Sequence, residues 1–288
     1  MLAPVRMKQM LQSKSSPGVN PSGRLAGAVH WLTSGFALAC LLLVLGPLLL
    51  DLHLPGKPGW PEAVLVFAVM LTSLVWLARQ LPLQNVLLAA GIIALIGGGI
   101  HTIGAITAIP FGPFSYTDSA GPRFFNTLAW PVPLLWIIVV LNSRGVARLM
   151  LRPWRRVRNY GFWVIGITIA LTVLFDLALE PFAAAVKRYW LWHPTRLPLK
   201  WGGAPVTNYL GWLVTALLIL AFTTPALIDK RRRRAANRPP DYHPLVVWLL
   251  AVALFAAGAA TRQLWPAVVY CVAVGVAVGI FAVRGAKW

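Results

Sequence analysis

Charged side chains are scarce, making up 11% of the 288 residues against about 25% in soluble domains, while apolar ones reach 58%. That balance excludes a soluble globular domain. Cysteines number two, and Cys40 and Cys271 both fall inside apolar runs without a CxxC-like spacing, so neither a disulfide framework nor a metal site is expected. No hydrolase triad, phosphate-cradling glycine loop or histidine-rich iron motif is present, which leaves redox and phosphoryl chemistry without support. Strict alternation of apolar and polar residues over ~10 positions, the mark of a membrane β-barrel, is also missing.

What is there is a series of long apolar runs. A hydrocarbon core of ~30 Å needs about 20 apolar residues per helix, and eight stretches meet that requirement. They run from His30 to Leu50, Glu62 to Ala78, Val86 to Thr107, Phe124 to Leu141, Gly161 to Leu179, Asn208 to Ile228, Pro244 to Ala260 and Leu264 to Val283. The fold class expected is all-α, a polytopic transmembrane helical bundle of about eight spans. Residues 1–29 read as a basic cytoplasmic segment and 30–288 as a single transmembrane domain. The first span is too long for a signal-peptide core and lacks a small-residue cleavage site before Asp51-Leu52-His53, so it reads as a retained anchor.

The net charge of +19 resembles that of a nucleic-acid binder, but its distribution argues for membrane topology. With eight alternating spans, 19 of the 26 Lys and Arg residues fall on one side, in the leader, at Arg79, in 142–160, in the Lys230 to Arg238 run and at the C-terminus. The positive-inside rule then places both termini in the cytoplasm. The Arg231 to Arg234 run reads as a topology signal in contact with anionic lipid. Membrane lipids are therefore expected partners and nucleic acid is not; the location expected is a cell membrane, the bacterial cytoplasmic membrane in the first instance.

Under this topology two unusual loops share the outer side. One is IPFGPFSYTDSAGPR, from Ile109 to Arg123, where Pro110, Pro113 and Pro122 restrict the backbone while Phe111, Phe114 and Tyr116 present rings. The other is Glu180 to Asn208, whose Phe182, Val186, Tyr189, Trp190 and Trp192 mix with Lys187, Arg188 and Arg196 and suggest a helix lying in the interface. The phrase N-x-L-x-W occurs at Asn126 to Trp130 and at Asn208 to Trp212, each read as a span start with Asn as cap.

Of the seven acidic residues, Asp176 and Glu180 stand out, because the spacing puts them on one helix face inside an apolar run. A carboxylate at mid-bilayer costs about 2.5–3.5 kcal/mol on insertion scales, so a partner or a function must compensate. Two carboxyls in an apolar setting divide the work of acid and base; alternatively they pair with Lys187, Arg188 or a neighbouring helix and brace the bundle. His101 lies near the outer end of the third span and is either an interhelical hydrogen-bonding residue or a catalytic one. Gly97, Gly98 and Gly99 permit close helix approach. Tyr116, Thr117 and Asp118 read as turn residues or as part of a site, and Asn208 as a helix cap. Polar groups gathered at one membrane edge fit acid–base chemistry on a lipid-soluble substrate.

The segments PFGPFSYTDSAGPRFFNTLAWPVPLLW, DLALEPFAAAVKRYWLWHP and WGGAPVTNYLGW, in that order, resemble the integral-membrane carotenoid hydratase family of gamma-carotene hydratase and the bisanhydrobacterioruberin hydratases. The resemblance covers about 97–220, and the flanking spans look generic. It implies addition of water to the terminal 1,2-double bond of an acyclic or monocyclic carotenoid, giving a tertiary alcohol without a cofactor. On it, Asp176, Glu180 and His101 become candidate catalytic residues, and Phe111, Phe114, Tyr116, Asp118, Trp190, Trp192, Asn208 and Trp212 candidate substrate-binding residues. The pattern departs at His101, where the family carries glutamate, and at Phe114, where it carries tyrosine. Other carotenoid biosynthesis enzymes are conceivable partners. A transporter for a small lipophile and a non-catalytic scaffold of a carotenoid pathway are the competing readings.

Overall fold

The computed structural model describes residues 21–52, 54–56, 59–195, 199–228 and 239–288, with the side chains of 21–24 left aside. The leader before Pro21, His53, Arg196 and the Lys230 to Arg238 run lie outside the described residues.

Among the described residues, eight helices are long and apolar enough to cross a membrane. They are α1 (Pro21–Leu50), α2 (Trp60–Ala78), α3 (Leu83–Thr107), α4 (Pro131–Met150), α5 (Tyr160–Glu180), α6 (Val206–Thr223), α7 (His243–Thr261) and α8 (Trp265–Ala286). Proline occupies the first turn of α2, α4, α7 and α8, where its missing N–H is one of the groups a helix leaves unpaired anyway. The chain is thus an all-α, multi-pass membrane protein.

Helix α4 is the central post. In its most apolar window 72% of residues are buried against 22% for α1, and it packs against α2, α3, α5, α7 and α8. Close approach of α3 is set by Gly97, where a Cβ would lie 2.5 Å from the Trp136 ring, and by Gly98 over Pro133. Gly99 faces open space and plays no part in that contact.

The fourth span starts later than its hydropathy suggests. Residues 124–130 do not join the helix: Arg123–Phe124 pairs antiparallel with Leu128–Ala129, and Phe125 and Asn126 take positive φ in the turn between them. Pro131 then opens α4. Asn126 is consequently an exposed turn residue, whereas Asn208 sits inside α6, and the repeated N-x-L-x-W phrase marks no equivalent structure.

The two unusual loops meet. Strand β1 (Phe114–Tyr116) pairs antiparallel with β4 (Trp190–Trp192), setting Phe114 opposite Trp192 and Tyr116 opposite Trp190; β2 and β3 are the short pair just described. The ribbon is extended by Thr117 N–H to Tyr189 O at 3.0 Å and His193 N–H to Pro113 O at 2.9 Å. The interfacial helix expected after Glu180 is instead a π-helical turn, Pro181–Val186, continuing α5, with Phe182 and Val186 buried in the core. Pro181 has no N–H to offer the ladder, which favours the wider turn. A second short pair, β5 (Lys200–Trp201) with β6 (Ala204–Pro205), leads into α6.

Candidate active site

Asp176 and Glu180 lie on the inward face of α5, 0% and 1% exposed. Helix α6 delivers their partner. The Asn208 amide donates to Asp176 Oδ2 at 2.8 Å and to Glu180 Oε1 at 3.2 Å. Asn208 stands at the third position of α6 and makes no capping bond; it is a cross-helix donor, not the helix cap its place in the sequence suggests. Two further donors come from the ribbon: the indole N–H groups of Trp190 and Trp192 reach Glu180 Oε2 at 3.2 and 3.0 Å. Three N–H groups thus converge on one carboxylate, while Asp176 Oδ1 has no hydrogen-bond partner among the described residues.

Neither basic residue considered as a brace reaches the pair. Lys187 binds Glu62 of α2 at 2.5 Å, and Glu62, one of the acids passed over in the sequence, helps fasten the ribbon to the bundle. The second loop is held over the carboxylates by Trp201, whose indole donates to Leu177 O at 2.8 Å and whose own carbonyl accepts from Tyr209 at 2.9 Å.

Around Glu180 stands a shell of rings. Phe111, fully buried, fills a slot between α3 and α6, because a Cβ at Gly104 or Gly211 would come within 2.6 or 2.5 Å of it. His101 stacks on Phe111 with centroids 4.2 Å apart, and its Nδ1 lies 3.4 Å from the Tyr116 hydroxyl. Trp136 and Trp212 stack at 4.3 Å on the other flank; Trp136, a central α4 residue, was not singled out in the sequence. Burial holds the Tyr116 phenol above its ordinary value, so that it stays protonated.

These groups enclose a chamber of about 20 Å³ bounded by His101, Tyr116, Glu180, Asn208 and the surrounding rings, room for one water molecule. Asp176 does not line it and touches the chamber's wall only through Asn208. Asp118 lies elsewhere, exposed on a 3₁₀ turn with its carboxylate 3.3 Å from Arg123. The expected substrate-binding residues are therefore brought together except Asp118.

Tyr116, Val132, Leu135 and Trp190 form a wall between this chamber and a much larger apolar groove of about 240 Å³ bounded by α1, α2, α4, α5 and α7. Its wall on α7 runs from His243 to Phe255, about 18 Å at the helical rise of ~1.5 Å per residue. Three of the helices lining it, α1, α2 and α7, looked generic in the sequence. Hydropathy does not separate a residue facing a groove from one facing lipid, so no sequence signal marks them. Among the described residues no group of three or more His, Cys, Asp or Glu side chains is placed to hold a metal ion.

No solved structure matches this chain. The sequence is 27% identical over 200 residues to bisanhydrobacterioruberin hydratase from Haloarcula japonica, covering 68% of this chain and 66% of that protein, just under two thirds of its length. The family described as carotenoid biosynthesis protein matches residues 61–278, a wider span than the motif core at 97–220, and takes in seven of the eight helices. A match over most of the sequence settles membership: the chain belongs to the carotenoid biosynthesis protein family.

Proposed function

We propose that the protein hydrates the terminal 1,2-double bond of an acyclic carotenoid end group, producing a tertiary alcohol without a redox cofactor. The observation that carries this reading is a long apolar groove lying side by side with a water-sized chamber where Glu180 meets His101, Tyr116 and Asn208, the two sharing a wall of Tyr116, Val132, Leu135 and Trp190. A polyene lying in the groove brings its last double bond past Tyr116 and Trp190 to that carboxyl.

Two carboxyls in one apolar site hold one proton between them, and in this reading Glu180, the member facing the chamber, delivers it to the CH carbon of the terminal alkene. The positive charge appears on the tertiary carbon, where the ring faces of Phe111, Phe114, Tyr116, Trp190 and Trp192 stabilise it by ~0.5–2 kcal/mol each. Water held by His101, Tyr116 and Asn208 attacks that carbon and returns its proton to the carboxylate pair. Asp176, behind Asn208, positions the amide that the two acids share. Where the family carries glutamate, His101 stands beside the phenol and orients water, which leaves proton transfer to Glu180 with Asp176.

Both termini lie in the cytoplasm in this reading, and the chamber lies at the outer membrane edge. The test is expression in a bacterial host that accumulates lycopene, with a gamma-carotene strain beside it, followed by chromatography and mass spectrometry of the pigments. A product heavier by one water and bearing a silylatable tertiary hydroxyl is the expected result. Unchanged pigment in both strains, with the protein present in the membrane, would count against hydration of these end groups.

A further inference from the structure

The apolar groove is polar at both ends. At one end His243 of α7 packs edge-on against His30 of α1 at 4.8 Å and stacks on Trp76 of α2 at 5.7 Å. The charges of Arg79 and Asp241 stand beside the two imidazoles. At the other end Gly59 is pressed so close to the Ser119 carbonyl that no Cβ would fit there, and Glu62 holds its ion pair with Lys187 at the rim. An apolar chain that ran on through either end would strip water from charged groups, at a cost nothing there repays.

The side of the groove differs. Helices α1 and α7 run in the same direction and touch twice: His30 meets His243 near their starts, and Leu48 lies 3.5 Å from where a Cβ at Gly258 would stand near their ends. Between these two contacts the groove is lined by Leu38 of α1 and by Val246 and Leu250 of α7, which are 50%, 51% and 40% exposed. Every other residue lining it is buried or half-buried. A side chain that lines a cavity and also faces outward marks where the cavity opens. Val246 and Leu250 share one face of α7. Leu38 follows His30 by about 12 Å and Leu250 follows His243 by about 10 Å at the helical rise of ~1.5 Å per residue, so the two stand opposite each other. An opening framed by leucine and valine on the flank of a membrane bundle faces lipid, the phase in which a polyene dissolves.

The groove is also too short for what it is read to hold. Its wall on α7 spans about 18 Å, well short of an extended carotenoid, and conjugation keeps such a chain straight. A stiff rod that begins at the wall shared with the chamber must therefore leave the groove, and the flank between α1 and α7 is the apolar way out. We propose that Leu38, Val246 and Leu250 frame a lateral window through which the polyene slides in end first from the bilayer, its far part still projecting into lipid while the near end reacts. This rests on the reading that a polyene occupies the groove. The protein then contacts the near part of the molecule alone, and the chemistry of the far end group goes unread.

The test is binding under a block that can be removed. Val246→Cys in lipid nanodiscs is modified with benzyl methanethiosulfonate and titrated with lycopene by quenching of tryptophan fluorescence; reductant then strips the benzyl group and the titration is repeated. Cys40 and Cys271, 4% and 2% exposed, are shielded from the reagent. Leu38→Cys, on the opposite side of the window, serves if Val246→Cys does not fold. Ile280→Cys, exposed on α8 and outside the groove, carries the same label as a control. The expected result is about tenfold weaker binding by the labelled window variant, recovered on reduction, with no change in labelled Ile280→Cys. Unlabelled protein should bind gamma-carotene within about twofold of lycopene, since the ring stays in lipid. Binding that the label at the window does not weaken, or much weaker binding of gamma-carotene, would overturn the window and leave the polyene reading in place. No binding of lycopene by the unlabelled protein would overturn both. Loss of hydration in cells together with label-sensitive binding would count against the catalytic reading and support the window.

Discussion

Replacing Glu180 by glutamine removes a proton donor without removing volume, and the hydrogen bonds around it determine what else changes. Glu180 receives three N–H bonds, from Trp190 and Trp192 on one oxygen and Asn208 on the other. The glutamine introduced there can keep its oxygen toward the two indoles, but its NH₂ then faces the Asn208 NH₂, and Asn208 cannot turn over without presenting its oxygen to Asp176. One bond of the three is therefore lost. Glu180 holds the proton before reaction in this reading, so its bonds are neutral ones worth about 0.5–1.5 kcal/mol each, and the loss is of that order. Stability should change little. Catalysis should not survive so well: a positioned acid or base contributes about 10²–10⁴-fold, or ~2.7–5.5 kcal/mol of barrier. Glu180→Ala differs, since it leaves two partly buried indole donors without their acceptor, at up to about 1–3 kcal/mol each, and should weaken the fold as well. The assay is pigment conversion per unit of membrane protein, with thermal stability followed by fluorescence-detected size exclusion. Glu180→Gln converting pigment at the unaltered rate would refute the assignment of proton transfer to this carboxyl.

Gly211→Ala places a methyl group 2.5 Å from the Phe111 ring; it should destabilise by about 1–3 kcal/mol through overpacking and cut conversion as Phe111 leaves its slot, both readable in the same two assays. Asp118→Ala removes an exposed ion pair with Arg123, worth ~0–1 kcal/mol, and should leave conversion and thermal stability unchanged. Val69→Trp fills the groove on the α2 side and should abolish polyene binding by fluorescence quenching while the protein remains folded.

Reading these elements off the sequence succeeds where a local property decides the outcome. Eight apolar runs suffice to find eight helices, and the four-residue spacing of Asp176 and Glu180 suffices to put both on one face. The start of α4 was hidden because 124–130 is as apolar as a helix, while the deciding facts were two residues at positive φ and Pro131 after them. Asn208 was hidden because a helix cap and a cross-helix donor look alike in sequence; only the approach of α5 to α6 distinguishes them. The groove was invisible for a different reason. It is made by the spacing between α1, α2, α4, α5 and α7, and their apolar residues serve equally for lipid or for a bound chain.

The hydrogen bonds from Asn208 reach back 32 and 28 residues to Asp176 and Glu180. A ribosome therefore finishes α5, with both acids, before the amide that satisfies them has been made. Helix α5 has to enter the bilayer with unpartnered carboxyls, each costing up to about 3.5 kcal/mol at mid-depth, and the 21-residue length of otherwise apolar helix is what carries them in. The α6 segment then captures acids already in place. A change that shortens or polarises α5 should accordingly lower the yield of inserted protein, even one that leaves every atom of the finished chamber untouched.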